Sequence, residues 1–125
     1  MHLVGKLDKK IYQCISNDII TDEVIITDNQ INHIKERHPN DYEMFSQYLD
    51  EIVRFPDYII ETHKPNTALI LKEIRINNKL FKTVLRLITS KDDPSYKNSI
   101  ITFMRVDEKE WFRIIRNKNI LYKRE

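Results

Sequence analysis

The chain has 125 residues, of which 41% are hydrophobic and 32% charged, a composition typical of a single soluble domain over residues 1–125. No apolar run approaches the roughly 18–20 residues needed to cross a membrane, so we expect no membrane partner. The first residues lack an apolar signal core, which predicts a cytoplasmic location. The lone cysteine, Cys14, excludes an internal disulfide framework and a multi-cysteine zinc site.

Charge is distributed unevenly along the chain. The formal net charge is +2, but residues 1–62 contain 6 Lys or Arg against 12 Asp or Glu, whereas residues 63–125 contain 15 against 7. A basic half is typical of proteins that bind a polyanion such as nucleic acid. A chance imbalance in a lysine-rich chain gives the same pattern, so charge alone leaves both interpretations open.

The first helix is predicted by signals at both of its ends. Thr27 and Gln30 have the spacing of a capping box, which places the start of a helix there. Pro39 disfavours helical geometry at the residue before it, so this helix should end near Arg37.

Two further helices are predicted by caps and by helical periodicity. Asn40 is interpreted as the cap of a helix that carries Glu43 in its first turn and ends before Pro56. Its apolar residues recur every 3.6 positions and are Met44, Phe45, Tyr48, Leu49, Ile52 and Val53. The last helix is predicted over Asp107–Arg116, with Asp107 as its cap.

Strands are predicted where the apolar period changes to two and β-branched residues accumulate. The predicted strands or extended segments cover residues 10–16, 23–27, 58–62, 68–76, 80–89, 99–106 and 120–122. These elements predict an α+β fold, in which N-terminal helices pack on a four-stranded antiparallel sheet and a further helix follows at the C-terminus.

The central hairpin is expected to have one apolar and one charged face. Asn77-Asn78 suits a two-residue turn, because asparagine tolerates positive φ. That register places Glu73 opposite Lys82, and it places Arg86 on the same face. Arg75 lies on this face as well, and the candidate substrate-binding residues are Arg75, Lys82 and Glu73. The alternative is that Glu73 and Lys82 form an ordinary exposed ion pair.

Arg86 is a stronger candidate than the residues around it. It lies within the apolar stretch "TVLRLIT", where an arginine needs a carboxylate, a carbonyl or a bound phosphate as its partner.

The stretch "HIKERHP" contains two histidines, His33 and His38, which are candidate metal ligands, a candidate catalytic pair or side chains of a helix cap. On a continuous helix, side chains five residues apart point about 140° away from each other, so we expect no metal site. Cys14 lies in an apolar segment where a buried, inert thiol is the usual outcome. A single glycine excludes phosphate loops that need several, and no cofactor is expected.

Metal-free cleavage of RNA fits these residue types better. The ribose 2′-hydroxyl supplies the nucleophile, so the protein needs only a base, an acid and donors for the charge that develops on phosphorus. Histidine suits proton transfer near neutral pH, and arginine binds two phosphate oxygens through its fork. A protein that binds RNA or another protein without cleaving it is compatible with the same residues.

The run "IITDNQINHIKERHPNDYEMFSQYLDEIVRFPDYIIE" resembles phage-associated nuclease domains grouped with barnase, EndoU, the tRNA-cleaving colicins and RelE. In those domains a capped helix carries a His-x-x-x-x-His-Pro-like signature, which reads His33 and His38-Pro39 here. A Pro-Asp/Glu-x-Ile strand entry follows, as in "PDYI". The later "KTVLRLIT" and "NSIITFMRV" resemble the family's cationic strand and its Ser-x-x-Thr strand. The similarity covers residues 23–122.

The resemblance implies a barnase/RelE-like α+β fold and metal-independent ribonuclease chemistry, commonly in toxins of phages and other mobile elements. RNA is then the expected substrate, and a cognate immunity or antitoxin protein is a candidate partner. The implied catalytic residues are His33, His38, Arg86, Ser99 and Thr102. A histidine, His33 first, would act as general acid or base, Arg86 would stabilise the phosphorane, and the two hydroxyls would orient phosphate.

Two alternatives remain open at this point. In an unbroken strand Ser99 and Thr102 face opposite sides, so they can serve one site only if a bulge lies between them. His38 is as well explained by an imidazole that hydrogen-bonds the last carbonyls of its helix as by a catalytic role.

Overall fold

The computed structural model describes all residues from Met1 to Glu125. In chain order its elements are β1 (His2–Lys6), α1 (Lys9–Tyr12), β2 (Glu23–Ile26), α2 (Asp28–Arg37), α3 (Asp41–Phe45), a 3₁₀ turn (Ser46–Tyr48), α4 (Leu49–Arg54), β3 (Tyr58–Glu61), β4 (Thr67–Ile74), β5 (Lys79–Arg86), β6 (Asn98–Val106), α5 (Glu108–Asn117) and β7 (Ile120–Lys123). None of the helices is long and apolar enough to span a bilayer.

Seven strands form one sheet, in the order β1-β2-β6-β5-β4-β3-β7. Neighbouring strands are antiparallel except β2 and β6, which run parallel. The α+β class is confirmed, and β3 to β6 occupy their predicted segments. The prediction of four strands is wrong, because β1, β2 and β7 extend the sheet at both ends.

β1 is the strand for which the sequence carries the weakest signal. It pairs with β2, and α4 packs closely against it at Gly5, the only glycine in the chain. A Cβ at Gly5 would lie 1.9 Å from Oδ1 of Asp50, so any other residue at this position would displace the Asp50 carboxylate. The strand therefore depends on tertiary contacts rather than on its own apolar pattern.

The first face of the sheet carries helices α2, α3 and α4 over the main core. Ile31 and Ile34 of α2 are buried there. Beneath the helices, the buried side chains of β4 and β5 that face them include Ile70, Ile74, Phe81 and Leu85. The apolar hairpin face predicted from the sequence is thereby confirmed.

The register of the β4–β5 hairpin differs from the prediction by two residues. Ile74 lies opposite Lys79 and Glu73 opposite Leu80, which leaves the four-residue turn 75–78. A two-residue turn of the expected kind needs positive φ at both central residues, and of the two asparagines only Asn78 has it, at 54°. Because a shift of two preserves the alternation of side chains, the predicted faces are right although the predicted pairs are wrong.

Residues 10–16 do not form the predicted strand. Asp8 caps the short helix α1, and the ring of Tyr12 is fully buried. The Tyr12 hydroxyl donates to the carbonyl of Val53 at 2.7 Å. The cap and this buried anchor outweigh the local β-propensity.

The predicted long helix after Asn40 is interrupted. Asn40 has a φ of 74° and makes no capping hydrogen bond through its side chain, so it is not the expected cap. α3, the 3₁₀ turn and α4 follow one another, and the tighter turn changes the direction of the apolar stripe. Met44 is consequently 58% exposed. The residues of this stripe that reach the core are Phe45, Leu49, Ile52 and Val53.

α5 covers part of the second face of the sheet. The prediction of this helix is confirmed, since Asp107 caps it by accepting from the N–H of Glu110 at 2.8 Å. Trp111 and Ile114 pack on Leu71 and other residues of β3 and β4 in a separate small core. The C-terminal helix therefore covers part of the hairpin face that was predicted to be charged. The part of the second face formed by β5 and β6 stays partly exposed.

Candidate functional site

A bulge in β6 brings two hydroxyl side chains to the second face. The register between β5 and β6 shifts between Val84 and Leu85, and Ile101 is the extra residue. Ser99 and Thr102, which would face opposite sides in an unbroken strand, therefore both lie on the second face. The condition under which these residues can share a site is met.

α2 lies beside the second half of β6. β2 pairs with β6 only at Asn98 and Ser99, and the chain then enters α2 through its cap, Thr27, whose Oγ1 accepts from the N–H of Gln30 at 3.2 Å. An open cavity, here called the α2 cavity, separates the helix from the strand. It is lined by Asn29, Gln30, His33, Arg37, His38, Ile101, Thr102 and Met104.

The end of α2 explains how both histidines reach one cavity. α2 ends at Arg37, as predicted, and His38 leaves the helical conformation with φ −133° and ψ 72°. The angle calculated for a continuous helix consequently does not apply to the pair. The backbone N–H of His38 donates to the carbonyl of Ile34 at 2.8 Å, its ring makes no hydrogen bond to the helix end, and the residue lines the α2 cavity. The helix end is thus capped by the amide and not by the ring.

Arg37 lines the site but was not among the predicted site residues, since the sequence predicted it only as the last residue of a helix. It lies one helical turn after His33 and lines the same cavity. Its guanidinium is exposed and belongs to none of the ion pairs of the structure. The i, i+4 spacing from His33 was a signal that could have identified it. Arg37 is free to bind an anion in this cavity.

Arg86 lies on the same face but is bound within the protein. It stands opposite Ser99, and its Nη2 donates to Oδ1 of Asp92 at 2.9 Å, while Nη1 donates to the carbonyl of Leu87. The sequence requirement for a carboxylate or carbonyl partner is therefore met inside the chain. Asp92 also accepts from the N–H of Thr89, which, with the Arg86 guanidinium, lowers the pKa of its carboxyl.

Arg86 and Ser99 line a second cavity next to the first, here called the loop cavity because the β5–β6 loop forms its wall. The residues around it are Met1, Ile25, Thr27, Arg86, Ile88, Asp92, Ser95, Tyr96, Lys97 and Ser99. The five predicted catalytic residues are thus divided. His33, His38 and Thr102 surround the α2 cavity, whereas Arg86 and Ser99 belong to the loop cavity.

The three predicted substrate-binding residues lie in different places. Lys82 is on the second face, but its Nζ is 3.9 Å from Glu110 of α5, so the expected pair with Glu73 does not form. Glu73 lies opposite Leu80, at the far end of the hairpin from Arg86, and Arg75 is exposed in the turn. Only Lys82 shares the open surface with the α2 cavity.

The two other chemistries considered from the sequence are metal binding and catalysis by a cysteine nucleophile. No three His, Cys, Asp or Glu side chains come together as a metal site would require. Burial raises the pKa of the Cys14 thiol, and its Sγ donates to the carbonyl of Ile11 at 3.4 Å. A protonated, half-buried thiol is a poor nucleophile.

The fold and the α2 cavity define an α+β protein equipped for proton transfer and anion binding, which is the chemistry that metal-free phosphodiester cleavage needs. Residues 1–123 match the family model described as phage-Barnase-EndoU-ColicinE5/D-RelE like nuclease 2. The chain belongs to this family of nuclease domains, and the family predicted from the sequence is confirmed. No curated protein and no solved structure shows significant similarity to the chain.

Proposed function

We propose that the chain is a metal-independent endoribonuclease whose catalytic centre is the α2 cavity. The observation that carries the proposal is that His33, Arg37, His38 and Thr102 surround one open cavity. Two proton carriers, a free guanidinium and a hydroxyl are the groups that cleavage by the ribose 2′-hydroxyl requires. Membership of a nuclease family and the basic second half of the chain support RNA as the substrate.

The two histidines divide the proton transfers in this proposal. His33, exposed on α2, removes the proton of the 2′-hydroxyl, and the 2′-oxygen attacks the adjacent phosphorus. The bond from phosphorus to the 5′-oxygen breaks, and His38 donates a proton to that oxygen. The products are a 2′,3′-cyclic phosphate and a 5′-hydroxyl, with no net gain or loss of protons.

The cations and hydroxyls bind phosphate in this proposal. Arg37 lies in the same cavity as both histidines, so it is the arginine assigned to the phosphorane, and the Thr102 hydroxyl orients the phosphate. Arg86 and Ser99 bind the neighbouring phosphate in the loop cavity. Because Asp92 already pairs with Arg86, an incoming phosphate competes with that carboxylate.

The same family membership supports a biological role as a toxin or effector of a phage or another mobile element, acting on RNA in the cytoplasm. A cognate immunity or antitoxin protein would then have to cover the second face, since the α2 cavity opens there.

The test is to incubate the purified protein with total RNA and a chelator. Truncation of a general acid or base typically slows a reaction by about 10²–10⁴-fold, and we expect losses of that size for His33→Ala and His38→Ala. Arg37→Ala should also lose activity. His63→Ala and Arg116→Ala are matched controls, since both side chains are exposed and lie outside the two cavities.

Equal cleavage by wild type, His33→Ala and Arg37→Ala would refute the assigned mechanism. RNA binding without cleavage under any condition would favour the alternative function, a non-catalytic RNA-binding module on this fold, and binding of protein alone would favour a protein-interaction module.

A further inference from the structure

The loop between β5 and β6 presents an aromatic ring beside the loop cavity. Tyr96 is 59% exposed and lines this cavity together with the buried apolar side chains of Ile25 and Ile88. Single exposed apolar residues are common on protein surfaces and need no explanation. Tyr96 differs from Phe55, which is 52% exposed, because Phe55 lines neither the α2 cavity nor the loop cavity.

The loop that carries Tyr96 is fixed at both ends by hydrogen bonds. Oδ1 of Asp93 accepts from the N–H of Ser95 at 2.9 Å, and the N–H of Tyr96 donates to the carbonyl of Asp93 at 3.0 Å. Asn98 is fully buried, and its side-chain oxygen accepts from the N–H of Ile88 at 2.8 Å. A ligand that stacks on Tyr96 therefore has little loop ordering to impose.

Two cations and a hydroxyl of the loop cavity can bind a phosphate. Arg86, Lys97 and Ser99 line it together with Tyr96. Arg86 pairs with Asp92 and Lys97 with Glu23, so an incoming phosphate competes with both carboxylates. Proteins bind single-stranded nucleic acid with this combination, because cations neutralise the backbone while an aromatic ring stacks on a base. A carboxylate-rich or purely apolar ligand would use only one half of the cavity.

The loop cavity and the α2 cavity are two separate cavities that both include residues of β6. Ser99 belongs to the first and Thr102 to the second, and the bulge puts both on one face. They are three positions apart along β6, which at the usual rise per residue corresponds to at most about 10 Å, since the bulge shortens this stretch. One RNA strand on this face can thus occupy both cavities with neighbouring nucleotides.

We propose that the loop cavity is a nucleobase subsite, in which the base of the nucleotide next to the cleaved phosphodiester stacks on Tyr96. The inference rests on the proposed function, because it places a second nucleotide of the same RNA substrate on the face of the sheet where cleavage is proposed. Tyr96 is a binding residue in this proposal and takes no part in the proton transfers.

The experiment measures binding of 2′-O-methyl RNA oligonucleotides, in which the blocked 2′-oxygen prevents cleavage. Each member of a series carries one abasic nucleotide at a successive position. Stacking on an aromatic side chain corresponds to roughly a 5- to 140-fold change in affinity per base, so wild type should bind one abasic oligonucleotide that much more weakly than the intact one. Tyr96→Ala should bind both with the same low affinity. Tyr96→Phe keeps the ring and should behave as wild type, as should Phe55→Ala.

Three results would overturn the subsite: unchanged affinity in Tyr96→Ala, an abasic effect that persists in that variant, or no binding of any oligonucleotide. Cleavage of unmodified RNA is measured separately. Cleavage by wild type with unchanged binding by Tyr96→Ala refutes the subsite and leaves the ribonuclease intact. Tyr96-dependent binding without cleavage refutes the ribonuclease and leaves the subsite.

Discussion

Thr83 offers a direct test of the packing of the main core. It lies in the middle of β5, opposite Ile70 on one side and Phe103 on the other, and it is fully buried. Its Oγ1 is a buried side-chain polar atom that has no hydrogen-bond partner. Thr83→Val replaces this hydroxyl with a methyl group of similar shape and keeps the β-branched side chain.

The expected result is a more stable protein. Burying a hydroxyl without a partner costs about 1–3 kcal/mol in proteins, and the valine variant avoids that cost. With a specific unfolding entropy of about 2.1 cal/mol/K per residue over the whole chain, each kcal/mol corresponds to roughly 4 °C, so Tm should rise by about 4–11 °C. Thermal and urea unfolding measure the change. RNA cleavage should not change, because the Thr83 side chain lies on the first face of the sheet, whereas both cavities open on the second face.

Thr67→Val is the matched control. Thr67 is also buried in the sheet, but its Oγ1 donates to the carbonyl of Pro65 at 3.0 Å. Loss of this bond leaves a carbonyl without its partner and should lower the free energy of unfolding by about 1 kcal/mol. The two variants must therefore change stability in opposite directions. A Thr83→Val protein that is no more stable than wild type, or a Thr67→Val protein that is stabilised, would refute the reasoning.

Two further predictions concern the loop and α5. The folded-state pKa of Asp92 is lowered, first by the hydrogen bond from the N–H of Thr89 and also by Arg86. Its carboxylate therefore stabilises the folded state at pH values above the unfolded pKa of about 3.9. That contribution is lost as the pH falls through the folded-state pKa. Asp92→Asn should therefore be less stable than wild type at pH 7, with a smaller difference at pH 3 by urea unfolding; a difference that grows on acidification would contradict this. Asp107→Ala removes the cap of α5 and should cost about 0.5–2 kcal/mol, whereas Asp107→Asn should cost less, and equal losses in the two variants would show that the cap is not the cause.

Much of the candidate site could be predicted from local signals. The Thr27 cap and Pro39 mark the two ends of α2, and they predicted correctly that His33 lies on an exposed face of this helix, one turn before its C-terminus. The resemblance to a nuclease family selected both histidines and the two hydroxyls of β6. The i, i+4 spacing from His33 pointed to Arg37, but that Arg37 has no ion-pair partner inside the protein is visible only in the structure. The partner of Arg86 was missed because Asp92 reaches it from a loop whose path the sequence does not specify.

The sequence by itself determined the α+β class, the limits of α2 and α5, the four central strands and the apolar face of the hairpin. These features depend on hydrogen bonds and apolar periods within a few residues, so the local sequence contains their cause. The tertiary structure decided the hairpin register, the bulge at Ile101, the position of α5 on the second face and the cavity that collects His33, Arg37 and His38. Each of these depends on contacts between residues distant in the chain, where packing outweighs local preference.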